Sequence, residues 1–350
     1  MIKRNLYKID NKPIVVGAGL VALDVVIGAS PQTPTQFLAG GSCGNVLTIL
    51  SYLGWTAFPV ARLSNNMAAQ LLSEDLEKWD VREDLMSFTE DGSTPIIIHR
   101  ILKDVKGAPK HRFEFRNPED GSYLPSYKPC LAKAVPELVT KTETPLVYYF
   151  DRINRSSIDL AKFYKSQNTF TVFEPSNAKE EKGFRECVAN SDVVKFSSDR
   201  IVDYDKLFPV CTTKLEIQTL GSGGLKYRCL GETDWTYREG FTIDNVVDAA
   251  GAGDWCTAGM IWHLYRHLGN FDSISKDQIN SALKFAQALS ALNCTFEGAR
   301  GLMYNVGRTE LLLYVQHIIE SNSLLIHNRP ETSYEIKESA YKISSLFAAS

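Results

Sequence analysis

Along this chain, short dense apolar runs alternate with longer stretches in which apolar residues recur every three or four positions. Residues 14–16 and 20–26 are β-branched and aliphatic, the composition of buried strand. After Gly40-Gly41-Ser42, residues Cys43, Val46, Leu47, Leu50 and Leu53 share one helical face, with Ser42 the expected N-cap and Gly54 the expected stop. Residues 56–61 predict the next strand and 66–79 an amphipathic helix. The alternation continues through 146–150, 158–165, 170–173, 180–190 and 193–196, and long helical periods occupy 252–268, 277–294 and 309–321. Strand and helix in this rhythm predict an α/β fold, a central mostly parallel sheet flanked by helices on both faces.

The rhythm breaks twice. Residues 27–39 hold a Pro- and Thr-containing excursion, and residues 91–125 hold β-like runs at 95–102 and 111–116 cut by Gly107, Pro109, Pro118 and Gly121. Such insertions predict a small β-sheet projecting from the main body. The expected organisation is a core of 1–26, 40–90 and 126–325, a β-rich lid of 27–39 and 91–125, and a C-terminal extension of 326–350. The extension is mostly polar, with Ile343, Leu346 and Phe347 as a small apolar group.

Composition narrows the function classes. The 350 residues carry a formal net charge of -3, which gives no electrostatic reason to expect nucleic acid or a membrane as partner. The cysteines, Cys43, Cys130, Cys187, Cys211, Cys229, Cys256 and Cys294, show no zinc-type spacing and read as free thiols in a reducing compartment. Lys3, Arg4 and Lys8 precede the apolar run 14–27, as in a secretory signal, but Asp24, Gly17 and Gly19 interrupt it. A strand in a soluble, cytoplasmic protein is the expectation.

The most informative segment is Val247-Asp248-Ala249-Ala250-Gly251-Ala252-Gly253-Asp254, followed by a helical pattern. Small residues crowd a turn, an acid closes it, and the amides of Gly251, Ala252 and Gly253 would lie at a helix N-terminus. Such a terminus attracts phosphate through unpaired N–H groups and the helix dipole, and glycine lets the backbone approach closely. Phosphoryl transfer needs positioning, charge neutralisation and a group that takes the hydroxyl proton. Asp254 is the candidate for that last role. The Gly17-x-Gly19-x-x-Ala22 pattern invites comparison with dinucleotide-binding turns, but strand-like sequence follows it and no acid occurs between Val25 and Tyr52.

Residues 248–254 resemble the second signature of the PfkB, or ribokinase-like, carbohydrate kinases. Gly40-Gly41-Ser42-Cys43-Gly44-Asn45 resembles the first signature, Thr219-Leu220-Gly221-Ser222-Gly223-Gly224 the nucleotide-binding turn, and 286–298 the late adenine-side helix and loop. The matches keep the family's order and reach about Gly301. The resemblance implies a ribokinase-like fold with a small β-sheet lid that closes over a sugar. It implies Asp254 as base, the Gly251, Ala252 and Gly253 amides as anion hole, and Asp24, Gly41 and Asn45 on the acceptor's hydroxyls. Asp151, just past the strand at 146–150, is a further candidate contact with the acceptor. Thr219, Gly221, Gly224 and Asn293 would line the ATP site. ATP and Mg2+ are the implied cofactors, with room for a monovalent cation such as K+, and a homodimer is the implied assembly.

The chain departs from the family at Ser197 and Arg200, which stand where an Asn-x-x-Glu element usually helps organise Mg2+; the usual acid is missing unless Asp199 or Glu174 substitutes, and the metal ligands are unassigned. In the lid, alternation turns Phe113 and Phe115 to one face and Arg112, Glu114 and Arg116 to the other, with Arg112 a candidate for an anionic group on the acceptor. The implied activity is transfer of the ATP γ-phosphate to a hydroxyl of a sugar or sugar derivative. A nucleoside kinase, or a catalytically silent sugar- or nucleotide-binding protein on the same fold, are the alternatives.

Overall fold

Valine and aromatic residues fill the strands at the centre of the chain, and successive side chains leave to opposite faces. The computed structural model describes residues 12–28, 35–103, 109–243, 246–265, 267–268, 274–322 and 341–348. In chain order the strands are β1 (Ile14–Ala18), β2 (Ala22–Ile27), β3 (Gln36–Gly40), β4 (Thr56–Leu63), β5 (Met86–Phe88), β6 (Ile96–Lys103) and β7 (Pro109–Glu114). They continue as β8 (Val147–Phe150), β9 (Phe170–Phe173), β10 (Val193–Ser197), β11 (Leu215–Thr219), β12 (Leu225–Cys229) and β13 (Thr236–Arg238). The helices are α1 (Ser42–Tyr52), α2 (Met67–Lys78), α3 (Val135–Leu138), α4 (Arg155–Ser166) and α5 (Glu181–Ala189). After them come α6 (Tyr204–Leu207), α7 (Ala252–Leu264), α8 (Lys276–Asn293), α9 (Gly301–Asn305) and α10 (Arg308–Ser321).

Among the described residues the strands form two sheets. The larger has the order β13-β12-β11-β10-β9-β8-β1-β4-β5 and is parallel from β5 to β11, with β12 and β13 added as an antiparallel edge. Val15, Tyr149, Val172 and Ile217 pack on one face with α1, α7 and α8; Val16, Tyr148, Phe173 and Val194 pack on the other with α4 and α5. Strand order reverses at β1: the chain steps to β4 and β5 on one side, then returns to β8 and beyond on the other. In such sheets ligands bind outside the carboxyl ends of the strands at that reversal.

The smaller sheet has the order β3-β2-β6-β7. Residues 22–26, expected in the core, belong to it: β2 pairs antiparallel with β3 and parallel with β6. Gly19 lies at the turn that takes the chain out of the core, because a β-carbon there would stand 1.7 Å from Asp151 Oδ1. Ser42 is the first residue of α1, and the N-cap is Gly41 at φ 77°. Only glycine fits that position, since a β-carbon would meet the Leu20 carbonyl oxygen at 2.4 Å.

The two sheets are stitched by polar groups. The Asp75 carboxylate on α2 accepts the Ala39 N–H at 2.9 Å and the Tyr304 hydroxyl at 2.7 Å, and Arg300 bridges it to the Ala39 carbonyl. From β6, His99 Nε2 lies 3.4 Å from Asp248 Oδ2. The C-terminal extension closes a further seam. Leu346 is fully buried, Tyr341 meets Phe37 of β3 edge-on, and the Ile343 N–H donates to Glu119 at 2.7 Å. All seven cysteines are free thiols, and among the described residues no helix is long and apolar enough to cross a membrane.

Leu346→Ala is expected to lower unfolding free energy by about 2–5 kcal/mol, the usual cost of emptying a fully buried leucine site. Urea denaturation monitored by tryptophan fluorescence measures it; an unchanged midpoint would mean the extension contributes nothing to the fold.

Candidate active site

The carboxyl ends of the parallel strands bring polar residues together. Gly19 follows β1, Asp151 follows β8, Glu174 follows β9, Ser198 to Arg200 follow β10, and Thr219 ends β11. Helix α7 starts at this edge. Its N-cap, Gly251, holds φ 73° and ψ -4°, and a β-carbon there would meet the Ala299 carbonyl oxygen at 2.1 Å. This left-handed residue reverses the chain so that the amides of 251–254 open toward the strand ends. Among the described residues no protein acceptor takes the N–H groups of Gly251, Gly253 and Asp254, while the Ala252 N–H leans on Ala249 O at 3.3 Å. The free donors are therefore Gly251, Gly253 and Asp254, a shift of one member from the expected trio.

At Gly253 a β-carbon would have only ordinary contacts, 3.7 Å to Glu174 Oε1 and 3.8 Å to Lys195 Nζ. Protein packing thus does not demand glycine there, although a β-carbon would rest against the Glu174–Lys195 pair.

Asp254 sits in the first turn of α7, partly exposed. Asn45 of α1 donates from Nδ2 to Asp254 Oδ2 at 2.8 Å, leaving Oδ1 for another partner. Burial pushes the Asp254 carboxyl up to about 8, and the Glu174 charge pushes the same way. The Asn45 hydrogen bond, Lys195 and Arg200 pull it back. Lys195 Nζ lies 2.6 Å from Glu174 Oε1 and 3.1 Å from the Gly253 carbonyl oxygen.

The acceptor-side candidates divide. Burial pushes Asp24 up to about 7 against the pull of Arg300, and the Gly41 backbone faces its carboxylate. Asp24 Oδ1 and Asn45 Oδ1 are buried and have no protein partner, the condition of groups that meet a ligand hydroxyl or water. Asp151 is placed differently from expectation. Its Oδ1 accepts the Leu20 N–H at 2.9 Å and its Oδ2 meets Arg152 at 3.1 Å, so it fixes the exit of β1.

Arg112 does not reach the site. Register sets Phe113 opposite His99 and Arg112 opposite Arg100. His99 faces Asp248, so Arg112 leaves from the other face, where it is exposed and paired with Glu114. Asn293 is also corrected. It is wholly buried, donating to Ala250 O at 3.1 Å and accepting the Leu302 N–H at 3.3 Å. It clasps the turn before α7 from behind and presents nothing to a nucleotide.

Thr219, Gly221 and Gly224 form a tight turn at the end of β11. Gly221 has φ 61° and open space around it, whereas a β-carbon at Gly224 (φ 95°) would strike the Arg238 carbonyl oxygen at 2.2 Å. Asp248 takes the Ala250 N–H at 2.9 Å and the Gly298 N–H at 3.0 Å, tying the turn before α7 to the loop after α8.

No family model matches the chain. A curated relative, "Probable fructokinase-2" from Arabidopsis thaliana, is 24% identical over 322 residues, covering 83% of this chain and 92% of its own. Solved structures superpose over most of the length. Ribokinase from Arabidopsis thaliana, in complex with ribose and ATP, has a TM-score of 0.62 at 18% identity, covering 87% of this chain and 99% of that one. A fructokinase double mutant from Vibrio cholerae, with fructose, ADP and potassium ion bound, gives 0.65 at 18% over the same shares. The 2-dehydro-3-deoxygluconokinase of Thermotoga maritima gives 0.66 at 16%, again over 87% and 99%. The fold is ribokinase-like.

Within that fold, sequence reasoning missed the roles of Lys195, Thr257, Asp75 and Arg300. A signal for Lys195 existed, because a lone lysine inside the apolar run Val193-Val194-Lys195-Phe196 has to be paired if that run is buried. No comparable signal marks Arg300.

The two glycines of the ribokinase-like turn are expected to respond oppositely in stability. Gly251→Ala forces a left-handed alanine, about 1–2 kcal/mol before the clash with Ala299 is added. Gly253→Ala places a better helix former in a first turn with room for it, so stability holds or rises by up to about 1 kcal/mol. Thermal melts of the two variants check this; equal destabilisation would count against the geometry.

Proposed function

We infer that the protein is an ATP-dependent kinase that transfers the γ-phosphoryl group to a hydroxyl of a sugar or sugar derivative. The observation that carries this reading is Asp254, a carboxylate with one free oxygen, beside the unpaired amides of Gly251, Gly253 and Asp254 at the strand-order reversal. The sugar kinases among the chain's relatives support the acceptor class.

The residues fit a nucleotide's phosphates. The donors at this helix start are the N–H groups of Gly251, Gly253 and Asp254, which have no protein acceptor among the described residues. Asp254 Oδ1 accepts the hydroxyl proton as the acceptor oxygen bonds to the γ-phosphorus. The bond from that phosphorus to the β–γ bridging oxygen breaks, and ADP leaves. Charge that builds on the equatorial oxygens is met by the amides. Asp24 and Asn45, each with a buried unpaired oxygen, hold other hydroxyls of the acceptor. Thr219, Gly221 and Gly224 line the nucleotide side. A divalent ion such as Mg2+ would neutralise phosphate charge; with Glu174 engaged by Lys195 and Thr257, it would be held mainly by ATP phosphates and water. The small sheet acts as the lid, and a homodimer through it is part of the reading, with Phe113, Phe115 and Tyr123 exposed there.

A coupled assay of ADP release across pentoses, hexoses, sugar acids and nucleosides tests the function; ATP binding without acceptor-dependent ADP release would overturn it. Asp254→Asn is expected to keep the fold and ATP binding and to lose about 10²–10⁴ in turnover. Full turnover in that variant would remove Asp254 from its role.

The base must be ionised to work. Its pKa is raised above the ordinary carboxylate value, so kcat/KM rises with pH up to about 8 and falls below it as Asp254 takes a proton. An acidic limb near about 4, the ordinary aspartate range, would contradict this environment.

A further inference from the structure

Strand β10 is buried along most of its length, and Lys195, at its centre, is 1% exposed. A charge in such a place persists only where partners replace its hydration. Lys195 has two. Its ammonium donates to Glu174 Oε1 at 2.6 Å and to the Gly253 carbonyl oxygen at 3.1 Å. Glu174 Oε2 is 2.5 Å from the Thr257 hydroxyl and 3.3 Å from the Tyr149 hydroxyl. Thr257 Oγ1 also lies 3.2 Å from Gly253 O, but its single proton goes to the charged and nearer acceptor. These contacts join β8, β9 and β10 to the first turn of α7, one residue before Asp254.

We propose that Lys195 is a positioning residue of the transfer centre, holding the Gly253 carbonyl and neutralising Glu174 so that Asp254 meets its acceptor ionised and in place. This rests on Asp254 being the base. The geometry gives the lysine a task that a hydrophobic residue of equal volume cannot perform. Without the ammonium, Glu174 stands uncompensated beside Asp254, and two close carboxylates do not readily ionise together.

The groups facing Asp254 come from every neighbouring element. Asn45 and Cys43 come from α1, Tyr149 from β8, Glu174 from the end of β9, Lys195 from β10 and Arg200 from the turn after it. Burial holds the Cys43 thiol and the Tyr149 phenol well above their ordinary values, so both stay neutral. Burial also keeps Cys256, which faces Lys195, a neutral thiol. Burial opposes the lysine's own charge, but Glu174, through its charge and its hydrogen bond, acts together with Cys256 and Asp254 to hold Lys195 above the ordinary ammonium value. Glu174 and Lys195 thus bear on Asp254 with opposite signs, Glu174 the more strongly, and Arg200 adds a solvent-screened charge.

Removing either member shifts Asp254 in opposite directions, which a packing role would not do. The probe is carboxyl 13C NMR titration of aspartate-labelled protein, with the Asp254 resonance assigned by its loss in Asp254→Asn; it needs no turnover. Glu174→Gln is expected to lower the Asp254 pKa by about one unit or more, and Lys195→Met to raise it by a smaller amount. Lys195→Arg should titrate as the parent does, and Lys195→Met with Glu174→Gln should return toward it. The acidic limb of kcat/KM should follow the same order. Shifts in one direction for both single variants, or none, would overturn the proposal. If Lys195→Met does not fold, the downward shift in Glu174→Gln and the parent-like Lys195→Arg decide the matter. Should these shifts appear in a protein that releases no ADP with any acceptor, the charge arrangement stands and the kinase reading falls.

Discussion

A parallel sheet covered by helices on both faces has no place for polar chemistry within its strands, so such groups collect where the strands end. In this chain Val15 and Val16, Tyr148 and Tyr149, and Val193 and Val194 leave to opposite faces, and all are buried. Asp151, Glu174 and Thr219 come immediately after or at the last position of their strands. The reversal of strand order at β1 opens the crevice beside Asp151, and both insertions that build the small sheet flank it, one after β1 and one before β8. Charges that do lie inside the sheet are paired. Glu216 and Arg228 face each other in register across β11 and β12 at 2.8 Å, and Lys195 meets Glu174.

The same constraint explains how the small sheet is held. The small sheet buries Leu23, Val25, Ala39, Ile96 and Ile98 in the core, and directional contacts add orientation to that non-directional packing. Both backbone groups of Ala39 are taken by one buried ion pair, the N–H by Asp75 and the carbonyl by Arg300. Arg300 also faces Asp24, so the group that fixes β3 pulls down the pKa of the acid nearest to it. His99 on β6 reaches Asp248, whose other contacts shape the turn before α7. The small sheet is therefore tied to its surroundings by side chains at two separate points, one of them at the turn before the helix that carries Asp254.

The alternation of strand and helix was legible from apolar period alone, because both faces of the sheet and one face of each helix are packed. The start of α7 was legible because small residues followed by an acid serve few other purposes. What escaped was decided by tertiary register. The run at 20–26 reads as core strand, yet Gly19 has no room for a side chain beside Asp151, and the chain turns outward there. Arg112 lies two positions from Glu114 on one strand face, and no sequence pattern states which face meets the core. Asn293 looks like a ligand contact near a helix end, but burial and two backbone partners make it a clasp. Arg300 and Asp75 are 225 positions apart, beyond any local signal.

A base that takes a proton from a hydroxyl must hold it well enough to draw it away, yet be free of it beforehand. Those demands meet when its pKa lies near the working pH. Burial alone would carry a carboxyl too far, and Glu174 adds to the excess. Glu174 is nevertheless needed, because it is the partner that keeps Lys195 charged inside β10. The lysine in turn offsets Glu174 at Asp254 and grips the carbonyl of the preceding residue. The pair adds little net charge to the crevice while holding the turn, and Asn45 and Arg200 draw the carboxyl's pKa back down, favouring its ionised form. Position and ionisation of Asp254 thus follow from one set of contacts, the same contacts that tie β8, β9 and β10 to α7.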